Sequence, residues 1–87
     1  MSSNIHLLVV DDDQDIRELL QEYLQHNGYR VSVAEDGKGM WRVLDKEHID
    51  LVVLDIMLPG DDGLTLCRQL RASSALPVIM LTALGDE

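Results

Sequence analysis

The chain has 87 residues, with 16 acidic and 7 basic side chains and a formal net charge of −9. This length suits one small domain, and the acidic balance argues against a direct nucleic-acid surface, which requires clustered lysine and arginine. The single cysteine, Cys67, excludes an internal disulfide framework. Because the sequence shows no secretion signal and no run of ~20 apolar residues, we expect a cytoplasmic protein without a membrane partner.

Short apolar runs alternate with amphipathic segments, which predicts strands and helices in turn. Asp13 is the expected N-cap of the first helix, and Asn27-Gly28 is the expected stop. The predicted strands cover residues 5–10, 29–34, 51–54 and 77–81, and the second and third helices cover residues 37–46 and 64–71. The apolar residues expected to face inward on the three helices are Ile16, Leu19, Leu20, Tyr23 and Leu24, then Met40, Val43 and Leu44, then Leu64, Cys67 and Leu70.

The order βαβαβαβ predicts an α/β fold with one parallel sheet, right-handed crossovers and helices on both of its faces. In doubly wound sheets of this kind, ligands bind at the carboxyl ends of the strands. The residues that follow each strand are therefore the first place to look for a functional site.

Acidic residues follow two of the predicted strands. Asp11, Asp12 and Asp13 come directly after the first strand, and Asp55 comes after the third. If these strands are neighbours, their carboxylates converge, and like charges so close favour a bound cation. Oxygen ligands select a hard ion, Mg²⁺ or Ca²⁺, and the hydroxyl of Thr82, after the fourth strand, could reach the same crevice.

A simpler explanation remains open for the acidic residues, because aspartate commonly caps helices.

The sequence does not match other known metal-binding and phosphate-binding motifs. The acids from Asp11 to Glu22 have EF-hand spacing, but Ile16 stands where such a loop needs glycine, and a strand precedes it. The sequence contains neither a Walker A motif nor a Gly-x-Gly-x-x-Gly motif.

Three segments resemble one known family. They are LLVVDDD at 7–13, LDIMLPGDDG at 54–63 and PVIMLTA at 77–83. In this order and spacing, they strongly resemble the receiver domain of bacterial two-component response regulators. The MLPGDDG stretch is most similar to the winged-helix transcription factors of the OmpR/PhoB type.

The resemblance implies a Mg²⁺ site. Asp12 would bind the ion directly and Asp11 largely through water. The carboxylate of Asp55 and the backbone carbonyl of Met57 would complete the protein ligands.

The resemblance also implies a signalling role rather than a metabolic enzyme. Asp55 would be the phosphoacceptor, attacking the phosphoryl group of a phosphohistidine on a sensor histidine kinase. Thr82 would hydrogen-bond the phosphoryl oxygens and move toward them, and the backbone amide of Ala83 would face the same group.

The fold implied by the resemblance is flavodoxin-like, with strand order 2-1-3-4. The family's fifth strand, with its lysine, and its last two helices would be absent. We therefore interpret residues 1–87 as the N-terminal part of a single receiver domain, truncated after the fourth strand. DNA would be bound only through an absent C-terminal domain. We expect the chain to bind Mg²⁺ but to be phosphorylated poorly, because the lysine is missing. We also expect it to self-associate through the apolar edge strand at 78–81.

Two alternatives remain at this stage. One is a non-catalytic flavodoxin-like module for binding or dimerisation, with capping acids and no metal. The other is a haloacid-dehalogenase-type phosphatase, which requires Asp-x-Asp-x-Thr or Val after the first strand. Here Asp15 occupies the position of that threonine or valine, which argues against the phosphatase.

Overall fold

A computed structural model describes residues 4–55 and 63–81. Its four strands form one parallel sheet in the order β2-β1-β3-β4, which confirms the predicted α/β fold and strand order. None of the helices in these two ranges has the length and apolar character needed to cross a membrane. The elements are β1 (His6–Val10), α1 (Gln14–His26), β2 (Arg30–Ala34), α2 (Gly37–Lys46), β3 (Leu51–Asp55), α3 (Gly63–Ser73) and β4 (Val78–Leu81).

The main core lies between the sheet and helices α2 and α3. The central strands β1 and β3 line this core, and all their aliphatic side chains except that of Leu51 are almost fully excluded from solvent. This burial agrees with the continuous apolar runs that predicted strands covered on both faces. The buried cluster consists of Leu8, Val10, Ala34, Met40, Ile49, Val52, Leu54, Leu66 and Leu70.

The inward faces of two helices differ from prediction. On α3, Leu66 is buried together with Leu70, whereas Leu64 is 47% exposed. A helix that buries residues 66 and 70, four apart, turns residue 64 to its opposite flank. On α1, Ile16, Leu19 and Tyr23 are exposed, because this helix packs mainly on β1 and β2 and presents only part of its apolar stripe to them.

Helix α1 begins and ends where the sequence predicted. The side chain of Asp13 accepts hydrogen bonds from the amides of Asp15 and Ile16, as an N-cap does. At the other end, Gly28 adopts φ +92°, and its amide donates to the carbonyl of Gln25. The amide of Tyr29 then donates to Leu24, which completes a Schellman motif.

Replacing Gly28 tests this ending. We expect Gly28→Ala to lower the free energy of unfolding by about 1 kcal/mol, because a Cβ disfavours positive φ although no atom lies within 4 Å of its position. Gly28→Asn is the matched control, since asparagine tolerates this region better, and it should lose less. Urea unfolding followed by circular dichroism measures both. Equal losses in the two variants would contradict the backbone explanation.

Candidate metal centre at the carboxyl ends of the strands

The register of the sheet places two acidic residues side by side. Val10 of β1 pairs with Leu54 of β3, so the residues that follow them, Asp11 and Asp55, leave the same edge of the sheet together. With Asp12 from the β1–α1 turn, they offer three carboxylate oxygens that all lie within 4.8 Å of one another. Asp11 is 6% and Asp55 9% exposed, while Asp12 faces solvent. The predicted convergence of these acids is confirmed.

Hydrogen bonds fix the shape of the β1–α1 turn. The amide of Asp11 donates to the carbonyl of Ala34 at 3.1 Å, which holds the turn against the end of β2. The carboxylate of Asp11 accepts the amide of Asp13 at 2.9 Å, and Asp13 in turn caps α1. Asp13 is therefore the N-cap of α1, as its sequence position predicted. It does not join the cluster of Asp11, Asp12 and Asp55.

Arg17 also holds this turn, and the sequence analysis did not single it out. Its Nη1 atom donates to the backbone carbonyl of Asp11 at 2.8 Å from one turn inside α1. An arginine on a polar helix face has no distinctive sequence signal, because its backbone partner is chosen by the tertiary fold. The helix and the acidic turn are thus joined by a side chain as well as by the cap.

The electrostatic environment of Asp11 is unfavourable to its charge. Burial raises the pKa of its carboxyl above the usual value, and the negative charges of Asp55 and Asp12 raise it further. The amide of Asp13 opposes this pKa rise by hydrogen-bonding the ionised form. The cluster therefore concentrates negative charge that a cation would neutralise.

The donor set fits a small, hard divalent cation. All three groups are carboxylates, and hard cations such as Mg²⁺ prefer oxygen ligands. One exposed and two nearly buried carboxylates would leave room for water ligands, which Mg²⁺ usually retains. Three further predicted site residues, Met57, Thr82 and Ala83, lie outside the described residues.

Neutralising Asp11 should stabilise the metal-free protein at neutral pH. The pKa of Asp11 is raised in the folded state, so its ionised form opposes folding above that pKa, and the penalty disappears below the unfolded value of 3.8. We expect Asp11→Asn to be more stable than the parent near pH 7 and to lose this advantage as the pH falls through the pKa of Asp11.

Urea unfolding across a pH series without divalent ions measures this difference. Asp45→Asn, on the exposed surface of α2, is the control and should change stability by less than about 0.5 kcal/mol. A less stable Asp11→Asn variant at pH 7 would show that the charge of Asp11 is compensated in the native state.

Comparison with known proteins agrees with this geometry. Residues 7–87 match the family described as response regulator receiver domain. The chain is 48% identical to protein PetR of Rhodobacter capsulatus over 81 residues, which are 93% of this chain and 34% of PetR. It is 49% identical over 80 residues to a probable transcriptional regulator, ycf27, of Cyanophora paradoxa, covering 92% of this chain and 34% of that protein. The chain thus spans about a third of these curated relatives.

Solved structures give the same result. Response regulator TrrA from Thermotoga maritima, in complex with Mg²⁺ and BeF, superposes with a TM-score of 0.86 at 40% identity, covering 93% of this chain and 71% of that one. The BeF₃-activated N-terminal receiver domain of Klebsiella pneumoniae RstA gives 0.86 at 40% identity, with coverages of 94% and 70%. From its sequence, its sheet and its acidic edge, the chain belongs to the response regulator receiver domain family.

Proposed function

We propose that this chain receives a phosphoryl group on Asp55 from a sensor histidine kinase, with Mg²⁺ held by Asp11, Asp12 and Asp55. The observation that carries the proposal is the convergence of these three carboxylates at the carboxyl end of the sheet in a receiver domain. The solved complex of TrrA with Mg²⁺ and BeF supports it, because that relative is 40% identical to this chain.

The geometry suits a positioned carboxylate nucleophile. Asp55 ends β3, so the sheet backbone fixes its carboxylate beside Asp11 with little exposure to water. A carboxylate oxygen of Asp55 would attack phosphorus, and the imidazole of the donor phosphohistidine would leave with the electrons of the P–N bond. Such transfers depend mostly on orientation and on charge neutralisation. Bound Mg²⁺ supplies the neutralisation, since Asp11, Asp12 and the phosphoryl oxygens all carry negative charge.

Further ligands are proposed from the family resemblance alone. The backbone carbonyl of Met57 would bind Mg²⁺ beside Asp12. The hydroxyl of Thr82 and the amide of Ala83 would donate hydrogen bonds to the phosphoryl oxygens. In this proposal, the shift of Thr82 toward the phosphoryl group is the response to phosphorylation.

We place the chain in a transcriptional regulator of the OmpR/PhoB type. The support is the similarity to ycf27 proteins, which are described as probable transcriptional regulators. Residues 1–87 would belong to a single receiver domain, and contact with DNA would be made only by a separate domain. Family membership argues against the haloacid-dehalogenase and non-catalytic alternatives.

Substituting the proposed phosphoacceptor tests the reaction. We expect phosphoramidate with Mg²⁺ to add one phosphoryl group to the chain slowly, and to add none to Asp55→Asn, which lacks the nucleophilic carboxylate. Asp12→Ala should react at least about tenfold more slowly, because a metal ligand is lost. Asp45→Asn, which removes an exposed carboxylate from α2 outside the cluster, should match the parent. Intact-mass spectrometry gives the rates, and labelling of Asp55→Asn at the parent rate would refute the assignment.

We also propose that the chain self-associates through β4. Within the described sheet, β4 pairs with β3 alone and is an edge strand of four apolar residues. The carbonyl of Pro77 accepts the amide of Val52, so strand alternation turns the backbone groups of Val78 and Met80 to the outer edge. The side chain of Ile79 is 50% exposed beside them. Apolar edge strands pair readily with other strands, and a second copy would offer the same edge.

A charge on the edge strand should disperse the assembly. We expect the parent to elute above the mass of a single chain in chromatography with light scattering, and Ile79→Lys to shift toward the monomer. Leu64→Lys is the control, because Leu64 is similarly exposed, at 47%, but lies on α3. A monomeric parent at high micromolar concentration would contradict the proposed association.

A further inference from the structure

We propose that Arg17 is a positioning residue of the acidic cluster, and that its guanidinium sets where the carboxylates of Asp11 and Asp12 lie relative to Asp55. This inference rests on the proposed Mg²⁺ site. It assigns a function to a side chain of α1 that does not itself bind the ion.

The contact lies where the chain leaves the sheet. β1 ends at Val10, so the carbonyl of Asp11 lies beyond the end of the strand. Arg17 supplies a donor to that carbonyl at 2.8 Å, while the amide of Asp11 is held by Ala34 at 3.1 Å. The backbone N–H and C=O of Asp11 are therefore both held, the first by the end of β2 and the second by α1. The direction of the Asp11 side chain, and of Asp12 after it, follows from this fixed backbone.

The contact acts through the backbone rather than through an ion pair. Within residues 4–55 and 63–81, Arg17 forms no salt bridge with a carboxylate. A guanidinium is permanently charged, and its bond to a carbonyl is a charge-assisted hydrogen bond, stronger than a neutral one. The positive charge by itself would repel Mg²⁺. A positioning role and a purely electrostatic role therefore predict opposite effects on metal affinity.

The groove between α1 and α2 offers a matched control. Arg17 lines it together with Lys38 and Arg42, and the groove has a volume of about 400 Å³. Arg42 carries the same charge and side-chain length as Arg17, but it forms no hydrogen bond to the acidic turn within the described residues. Replacing Arg42 removes a neighbouring charge without removing the contact to Asp11.

Mg²⁺ titration followed by amide NMR separates the two roles. We expect the Kd for Mg²⁺ to rise about tenfold in Arg17→Met, as is typical when a group that orients metal ligands is lost. Arg17→Lys, which keeps a charged donor, should recover part of this loss, and Arg42→Met should stay within about twofold of the parent. Unchanged or tighter Mg²⁺ binding in Arg17→Met would overturn the proposal.

Hydrogen exchange without metal supplies an independent test. The amide of Asp13 donates to the Asp11 carboxylate, so it reports the order of the turn. The amide of Tyr29, bonded to Leu24 at the far end of α1, reports the stability of the helix as a whole. We expect Arg17→Met to accelerate exchange at Asp13 by about tenfold and to leave Tyr29 unchanged.

The two measurements distinguish failure of the Arg17 proposal from failure of the proposed Mg²⁺ site. Equal acceleration at Asp13 and Tyr29 would mean that Arg17 only fastens the helix, and this would overturn the positioning role. A parent chain that binds no Mg²⁺ would refute the proposed metal site. In that case, the Asp13 exchange of the metal-free variants still decides whether Arg17 orders the turn.

Discussion

The parallel pairing of β1 with β3 is the constraint on which the rest of the molecule depends. Burial of each large aliphatic side chain in these strands contributes roughly 1.5–3 kcal/mol, and these residues determine the register. That register brings Asp11 beside Asp55, with Asp12 close to both, whatever the electrostatic cost. The raised pKa of Asp11 records this cost. Folding free energy from the apolar strands therefore maintains a cluster of negative charge that a bound cation would relieve.

The carboxyl groups at the two ends of β1 have pKa values shifted in opposite directions. At the amino end, the buried ring of His6 lies 2.8 Å from the hydroxyl of Ser32, which donates its proton to Glu47. The ring must therefore donate to Ser32 through Nε2–H. The backbone amide of His6 donates to Asp50 and holds the pKa of that carboxyl below its usual value. At the carboxyl end, burial and neighbouring charge move the pKa of Asp11 in the opposite direction. Among the described residues, the carboxyl with the raised pKa thus lies at the end where ligands bind in such sheets.

Local signals in the sequence predicted most of the fold and much of the site. Asp13 and Gly28 mark the two ends of α1. Both could be predicted, because cap geometry depends on residue type over a few positions. The convergence of Asp11, Asp12 and Asp55 could be predicted, because the expected strand order makes β1 and β3 neighbours. The inward face of α3 was not, since leucines at 64, 66 and 70 offer two faces and only packing selects between them. Arg17 was also missed, because a bond to a backbone carbonyl depends on tertiary distance rather than on partner residue type.

Helix α1 explains why those local contacts matter to the site. None of its side chains is fully buried, whereas α2 and α3 each bury residues in the core, and α1 lies against β1 and β2 with a partly exposed apolar stripe. Its ends are held in addition by Asp13 and Gly28, which satisfy backbone groups, and by the bond from Arg17 to Asp11. A change at these contacts would act directly on the turn that α1 caps. Because that turn carries Asp11 and Asp12, the geometry of the acidic cluster depends on the N-terminal turn of α1 as well as on the register of β1 and β3.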